Sequence, residues 1–155
     1  LKYYLDKFRK IYYKNPLVAT NCYPGALSAV RSLKAAGCEL FICTQKAETP
    51  ARKVLSGLGL IESFDGFYFG DSLEVLKPDP RTVFFALRNS GDGPMFYIGD
   101  SETDSETAYR CDAVFLLFSG GYRRKPLEEI RNDSVFHNHS ELFEKVLKYT
   151  ENFNK

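Results

Sequence analysis

The fold is decided by residues 95–104, which read MFYIGDSETD. The first four residues are apolar and predict a short strand. Gly99 ends this strand, and the carboxylates of Asp100 and Asp104 follow with hydroxyl groups between them. If a helix begins at Asp104, both carboxylates can converge above the end of the sheet. Carboxylates and water molecules are the ligands that Mg²⁺ prefers, so this turn is a candidate metal site.

Strands and helices alternate along the chain on both sides of this turn. Further strands are predicted at residues 40–43, 67–69 and 114–117, the first of them buried on both faces because its apolar run is continuous. Helices are predicted over 1–14, from 24 to a stop at 37, from an N-cap at Thr49, from Asp79 to about 91, after Asp104 and over 140–149. This alternation predicts an α/β fold with a doubly wound parallel sheet. In such a sheet, ligands bind beyond the carboxyl ends of the strands.

Polar residues of two further kinds follow the predicted strands. Thr44 and Gln45 come directly after the first strand, where a hydroxyl group and free backbone N–H groups can bind an anion. Lys77 stands in the segment LKPDP before a helix, where two prolines restrict the backbone and a compact ammonium group suits a phosphate. Each feature alone is more often a turn residue or a solvated lysine. Together with the paired carboxylates, they predict a site for phosphoryl transfer.

Composition excludes several classes of protein. The chain has 155 residues with 21 Lys+Arg and 20 Asp+Glu, a formal net charge of +1, and 44% apolar residues, which excludes a disordered chain. The balanced charge gives no basic surface for nucleic acid. No apolar run approaches the roughly 20 residues that cross a bilayer, and no signal peptide is recognisable. We therefore expect a cytoplasmic protein without nucleic-acid or membrane partners, and its oligomeric state stays open.

Three other features of the sequence favour structural roles. Leu1, Leu5, Phe8 and Tyr12 form a helical stripe opposite basic residues; a membrane-surface helix is possible, but packing on the rest of the chain is favoured. His137 and His139 could share a metal, although a surface loop before a helix is favoured. The cysteines lack zinc-site spacing and are expected to be buried free thiols; they are Cys22, Cys38, Cys43 and Cys111.

Three segments, 41–46, 77–80 and 98–104, resemble the second, third and fourth motifs of the haloacid dehalogenase-like (HAD) hydrolases, within the phosphoglycolate phosphatase-like branch. Residues 23–25 resemble the return from a mobile cap domain into the core, and residues 69–72 and 120–123 also fit this branch. The resemblance implies a Rossmann-like HAD core over residues 17–155, with residues 1–16 as a remnant cap helix and hinge. It also implies that the first central strand and most of the cap are missing.

The resemblance assigns roles to the site residues. Thr44 would hydrogen-bond the phosphoryl group beside the Gln45 backbone, and Lys77 would neutralise the phosphate. Asp100 would ligate Mg²⁺, and Asp104 would hold a metal-bound water or the lysine. The implied partner is a small phosphorylated metabolite.

One departure from the family pattern limits these expectations. The first motif, an apolar strand followed by Asp-x-Asp-Gly-Thr, is absent, and the segment 64–66 around Asp65 lacks the paired aspartate. Met95 is the only methionine, and the sequence begins at Leu1 instead of an initiator methionine. We therefore expect a C-terminal part of a magnesium-dependent phosphatase, inactive by itself. The alternatives are a non-catalytic module that binds phosphate and magnesium (a pseudo-phosphatase) and part of a sugar phosphomutase.

Overall fold

The structure, a computed structural model, describes residues 2–153, so Leu1, Asn154 and Lys155 lie outside it. The helices are α1 (Lys2–Lys14), α2 (Ala26–Ala35), α3 (Glu48–Gly57), α4 (Arg81–Ala86), α5 (Glu102–Arg110) and α6 (Leu142–Phe153). The strands are β1 (Phe41–Cys43), β2 (Gly66–Tyr68), β3 (Phe96–Gly99), β4 (Val114–Phe118) and β5 (Ser134–Phe136). The predicted alternation of strands and helices, and hence the α/β class, is confirmed.

The strands form two parallel sheets. In the first sheet β1 pairs with β2, and in the second β4 lies between β3 and β5. Within residues 2–153 no backbone ladder joins β1 to β3. The arrangement is a partial Rossmann-like core rather than one continuous sheet. Strand β5 is not among the predicted strands, because its three residues are too few to show a periodic pattern.

Strand β4 forms the centre of the core. Its side chains alternate between two apolar clusters, with Leu116 and Phe118 in one and Phe115 and Leu117 in the other. The first cluster includes residues of α2 and α6, and the second includes residues of α4 and α5. Helices therefore cover the larger sheet on both faces, which is the doubly wound arrangement expected from the sequence.

Strand β1 is less buried than its continuous apolar run predicts. All three of its residues are half-buried, and Ile98 in β3 is 41% exposed. Among the described residues, β1 has a hydrogen-bonded neighbour on one side only, and so does β3. The prediction of a strand buried on both faces is therefore wrong for β1, and no strand lies beside its second edge within residues 2–153.

Two helices begin earlier than predicted. Helix α3 begins at Glu48, whose backbone N–H donates to the Asp71 carboxylate at 2.8 Å, so its first turn is capped from a distant loop. Thr49 is therefore not the N-cap. Helix α5 begins at Glu102 rather than Asp104, because Ser101 is the N-cap and its Oγ accepts the Asp104 N–H at 3.3 Å.

Helix α1 contacts the rest of the chain mainly near its C-terminal end. The Lys46 ammonium donates to the Tyr12 hydroxyl, and Lys53 donates to the Tyr13 carbonyl at 2.7 Å. No side chain of α1 is buried, and Phe8 is 62% exposed. The expected packing of the apolar stripe is thus found at Tyr12 but not at Leu5 and Phe8, and Leu1 lies outside the described residues. None of the helices within 2–153 has the length and apolar character needed to span a membrane. The division at residue 16 stays a prediction.

Candidate active site

The centre of the site is a buried ion pair between Lys77 and Asp104. The Lys77 Nζ lies 2.7 Å from Asp104 Oδ1, and the two side chains are only 12% and 8% exposed. Lys77 lies on the loop between β2 and α4, and Asp104 lies in the first turn of α5. Because an unpaired charge is costly to bury, each group stabilises the other's position.

Asp104 accepts hydrogen bonds through both carboxylate oxygens. Its Oδ2 accepts from the Ser101 hydroxyl at 2.7 Å and from the Asp100 backbone N–H at 3.2 Å. Burial by itself raises the pKa of Asp104, but the Lys77 charge and the hydrogen bonds from Lys77, Ser101 and Asp100 outweigh it and hold the pKa below its usual range. Asp104 therefore stays ionised and fixes the position of the Lys77 ammonium.

Tyr97 lies beneath this ion pair. Its hydroxyl is 3.4 Å from Asp104 Oδ1, and the Lys77 Nζ is 5.9 Å from its ring centre. Burial, with a smaller contribution from the nearby Asp104 carboxylate, raises the pKa of Tyr97 well above its usual value, so its hydroxyl stays neutral and can donate. The sequence predicts Tyr97 only as a strand residue. The alternation of side chains along β3 was the available signal that it faces the core below the site.

Gly99 lets β3 end close to the acidic turn, which is the segment of residues 100–104. A Cβ at position 99 would lie 2.4 Å from the Asp104 Cβ, closer than side-chain atoms can approach. The glycine predicted to end the strand is therefore required by packing against α5.

Thr44 and Gln45 lie beside the ion pair rather than in direct contact with its charged groups. The Gln45 side-chain amide donates to the Lys77 carbonyl at 3.2 Å, so it contacts the backbone of the lysine segment. The Thr44 Oγ accepts the Lys46 backbone N–H at 3.2 Å, and the described residues show no hydrogen bond from Thr44 to Lys77 or to either aspartate. The structure thus connects Gln45, Lys77, Asp104 and Asp100 directly, and Thr44 through its neighbour Gln45.

Asp100 is held by the loop formed by residues 120–125. Its Oδ2 accepts the Tyr122 backbone N–H at 2.7 Å. A Cβ at Gly121 would lie 2.1 Å from the Asp100 side chain, so only glycine allows this approach. The same loop also contacts Glu102, a carboxylate that is not among the predicted site residues. Its only signal in the sequence was its place between the two predicted aspartates.

Residues 4–112 match the family model of haloacid dehalogenase-like hydrolases. The chain belongs to this family.

Similar proteins include phosphoglycolate phosphatases of two bacteria. The one from Cereibacter sphaeroides (strain ATCC 17025 / ATH 2.4.3) is 36% identical over 137 residues, which make up 88% of this chain and 63% of that protein. The one from Rhodospirillum rubrum is 36% identical over 141 residues, 89% of this chain and 58% of that protein. The chain thus spans about three fifths of the length of the curated relatives it matches.

Solved structures show the same fold. A predicted phosphoglycolate phosphatase from Haemophilus somnus 129PT superposes with a TM-score of 0.87 at 24% identity, over 94% of this chain and 66% of that one. CbbY from Rhodobacter sphaeroides, solved in complex with phosphate, gives a TM-score of 0.68 at 23% identity, over 77% of this chain and 55% of that one. At these identities the likeness supports the HAD fold alone.

The acidic turn of this HAD chain fits a Mg²⁺ ion through Asp100. Among the hydrogen bonds of residues 2–153, Asp100 Oδ1 accepts none, whereas both oxygens of Asp104 are engaged. In the described part of the chain, no group of three or more His, Cys, Asp or Glu could hold a metal. Mg²⁺ keeps several waters and is often bound through one or two carboxylates, so Asp100 fits as a ligand. The metal roles of Asp100 and Asp104 stay predictions.

Asp65, the nearest match to the missing nucleophile motif of HAD hydrolases, lies away from the site. Its carboxylate pairs with the Lys34 ammonium at 2.8 Å and accepts the Leu40 backbone N–H at 2.7 Å. Both contacts lie at the amino ends of β1 and β2, opposite the end that carries Thr44. The hydrogen bond from Lys34 is the main reason that the pKa of Asp65 is lowered. Asp65 therefore joins the amino end of β1 to α2.

The remaining polar candidates have structural environments. Asn138 and Glu141 form a capping box at the helical turn directly before α6, so this segment precedes a helix as predicted, but His139 is half-buried rather than in a surface loop. His139 packs among the rings of Tyr23, Phe118 and Phe136. All four cysteines are free, as expected, but only Cys111 is fully buried.

Proposed function

We propose that this chain carries the phosphate-binding and magnesium-binding part of a phosphatase that acts on small phosphorylated metabolites, with phosphoglycolate as the first candidate substrate. The buried Lys77–Asp104 ion pair carries the proposal, since it holds an ammonium group at the end of the sheet where an anion would bind. The names of the relatives support phosphoglycolate.

Each site residue has a distinct role in this proposal. Lys77 neutralises the charge of the phosphoryl group, and Asp104 positions Lys77 and keeps it from turning toward solvent. Thr44 and the backbone beyond it donate hydrogen bonds to phosphoryl oxygens. Asp100 holds Mg²⁺, which when bound would neutralise negative charge that develops on the phosphoryl oxygens.

The chain alone is expected not to turn over substrate. The resemblance to HAD hydrolases implies an aspartate nucleophile that takes the phosphoryl group. The motif for that residue is absent from the sequence, and Asp65 lies at the opposite end of β1. The location of Asp65 also favours the second candidate, a non-catalytic module that binds phosphate and magnesium. The cytoplasmic location stays a prediction.

Binding and turnover measurements on the full chain test the proposal. We expect inorganic phosphate with Mg²⁺ to bind in calorimetry, Lys77→Met to weaken phosphate binding at least 10-fold, and the surface control Lys148→Met to leave it unchanged. Equal binding by wild type and Lys77→Met would contradict the assignment of the site. Turnover of 2-phosphoglycolate by the pure protein would contradict the expected inactivity. Phosphate binding without turnover of any phosphorylated metabolite fits both candidates.

Adding a second polypeptide separates these two candidates. A peptide with an apolar strand and the Asp-x-Asp-Gly-Thr motif should restore turnover if the chain is part of a phosphatase. A chain that binds phosphate but gains no turnover from such a peptide favours the non-catalytic module.

A further inference from the structure

Backbone N–H groups near both ends of the loop of residues 120–125 donate to carboxylates of the acidic turn. Near its start, the Tyr122 N–H donates to Asp100 Oδ2 at 2.7 Å. Near its end, the N–H groups of Arg124 and Lys125 donate to Glu102 Oε1 at 2.8 and 2.5 Å. Two carboxylates on one turn therefore bind three amides of one loop.

The loop needs this second attachment because of its sequence. Gly120 and Gly121 precede Tyr122, and glycine loses more conformational freedom on ordering than any other residue. The Tyr122 side chain is 86% exposed, so packing of its ring does not order the loop. The two hydrogen bonds to Glu102 order the end of this loop, and the Arg123 side chain adds a hydrogen bond to the Ser119 carbonyl at 2.7 Å.

Among the described residues, no residue other than Arg124 and Lys125 of this loop donates a hydrogen bond to the Glu102 carboxylate across the structure. Glu102 differs in this respect from Glu106, one turn later on α5, which pairs with Arg110 at 2.7 Å on the helix surface. The Glu102 side chain is thus used for the loop alone.

We propose that Glu102 is a positioning residue for Asp100. By accepting the N–H groups of Arg124 and Lys125, it holds the loop so that the Tyr122 N–H orients the Asp100 carboxylate, with Oδ2 engaged and Oδ1 free. The consequence for Mg²⁺ rests on the proposed function. The orientation of Asp100 by the loop does not depend on the proposed function.

Amide hydrogen exchange by NMR on the full chain tests the proposal, with calorimetric Mg²⁺ binding as a second measurement. Glu102→Ala should lower the protection of the Tyr122 amide about as much as that of Arg124 and Lys125. It should also weaken Mg²⁺ binding by about 10-fold, the usual effect of removing a residue that orients a metal ligand. Glu102→Gln keeps an acceptor oxygen and should restore both properties. Glu106→Ala, on the same helix, should change neither.

Unchanged protection of Tyr122 in Glu102→Ala would overturn the proposal, even if Arg124 and Lys125 lose theirs. Protection lost equally in Glu102→Gln would also overturn it, because the acceptor oxygen would then not be the cause. If the amides of β4 show that Glu102→Ala is unfolded, Glu102→Asp takes its place, since it keeps the charge but shortens the side chain. If the wild type binds no Mg²⁺, the metal part of the proposed function fails, and the Tyr122 amide still decides whether Glu102 positions Asp100.

Discussion

At the scale of single residues, the site depends on carboxylates that are held in place. Asp104 is surrounded by Lys77, Ser101 and the Asp100 backbone, and Asp100 is oriented by the Tyr122 amide. Side chains fixed in this way lose little entropy when a ligand binds, which is what a site for a small anion requires.

The lowered pKa of Asp104 predicts a specific effect of acid on stability. A carboxyl group whose pKa is lower in the folded state than its ordinary value of 3.8 stabilises the fold fully above that value and loses this effect as the pH falls through the folded pKa. The difference in the free energy of unfolding between wild type and Asp104→Asn should therefore be constant from about pH 5 to 7 and shrink below about pH 4. Urea unfolding across this range measures it, and a difference that stays constant down to pH 3 would contradict the prediction.

Several of these residues could be predicted from the sequence. Lys77, Asp100 and Asp104 each follow a strand in the chain, and the carboxyl ends of parallel strands lie at one edge of a sheet. The roles of Glu102 and Tyr97 could not be predicted, because they depend on distances to a distant loop and to a buried ion pair. Local pattern carries no information about such distances.

At the scale of secondary-structure elements, the turn from β3 to α5 is the most constrained segment. The glycine at its start, the Ser101 N-cap and the ion pair of Asp104 all lie within six residues. Four of the short strands were predictable from apolar runs, and the parallel class from their alternation with helices. The start of α3 was not predictable, because its cap comes from Asp71, which is 23 residues away in sequence.

Gly99→Ala tests this constraint. The added methyl group would lie 2.4 Å from the Asp104 Cβ, so β3 and α5 must separate, and we expect a loss of about 1–3 kcal/mol in unfolding free energy, as is typical for overpacking. Gly93→Ala is the matched control, since a Cβ there meets nothing within 4 Å. Thermal or urea unfolding compares the two variants. Equal effects would mean that the close approach of β3 and α5 is not what requires glycine.

At the scale of the whole molecule, strands β1 and β4 differ in burial and in the number of neighbouring strands. Leu116 and Leu117 in β4 are fully buried, and β4 has a strand on each side. Strand β1 is half-buried and belongs to a two-stranded sheet, an arrangement of marginal stability by itself. Between β1 and β3, the described residues are connected by side-chain contacts instead of a ladder.

Amide hydrogen exchange should therefore show different opening free energies in the two sheets. We expect the amides of β1 and β2 to exchange through local opening at lower free energy than those of β4, which should exchange only on global unfolding. Exchange rates corrected for sequence, measured over a denaturant series, provide the comparison. Equal opening free energies in the two sheets would show that they unfold as one unit.

The Lys77–Asp104 ion pair joins these two sheets, because Lys77 follows β2 and Asp104 follows β3. In many enzymes, active-site residues reduce stability, and replacing them makes the protein more robust at the expense of activity. Here the same two side chains would bind the ligand and also stabilise the contact between the two sheets. Evolutionary loss of the binding function would then not release the pair from selection, because a variant without it would also lose part of its resistance to unfolding.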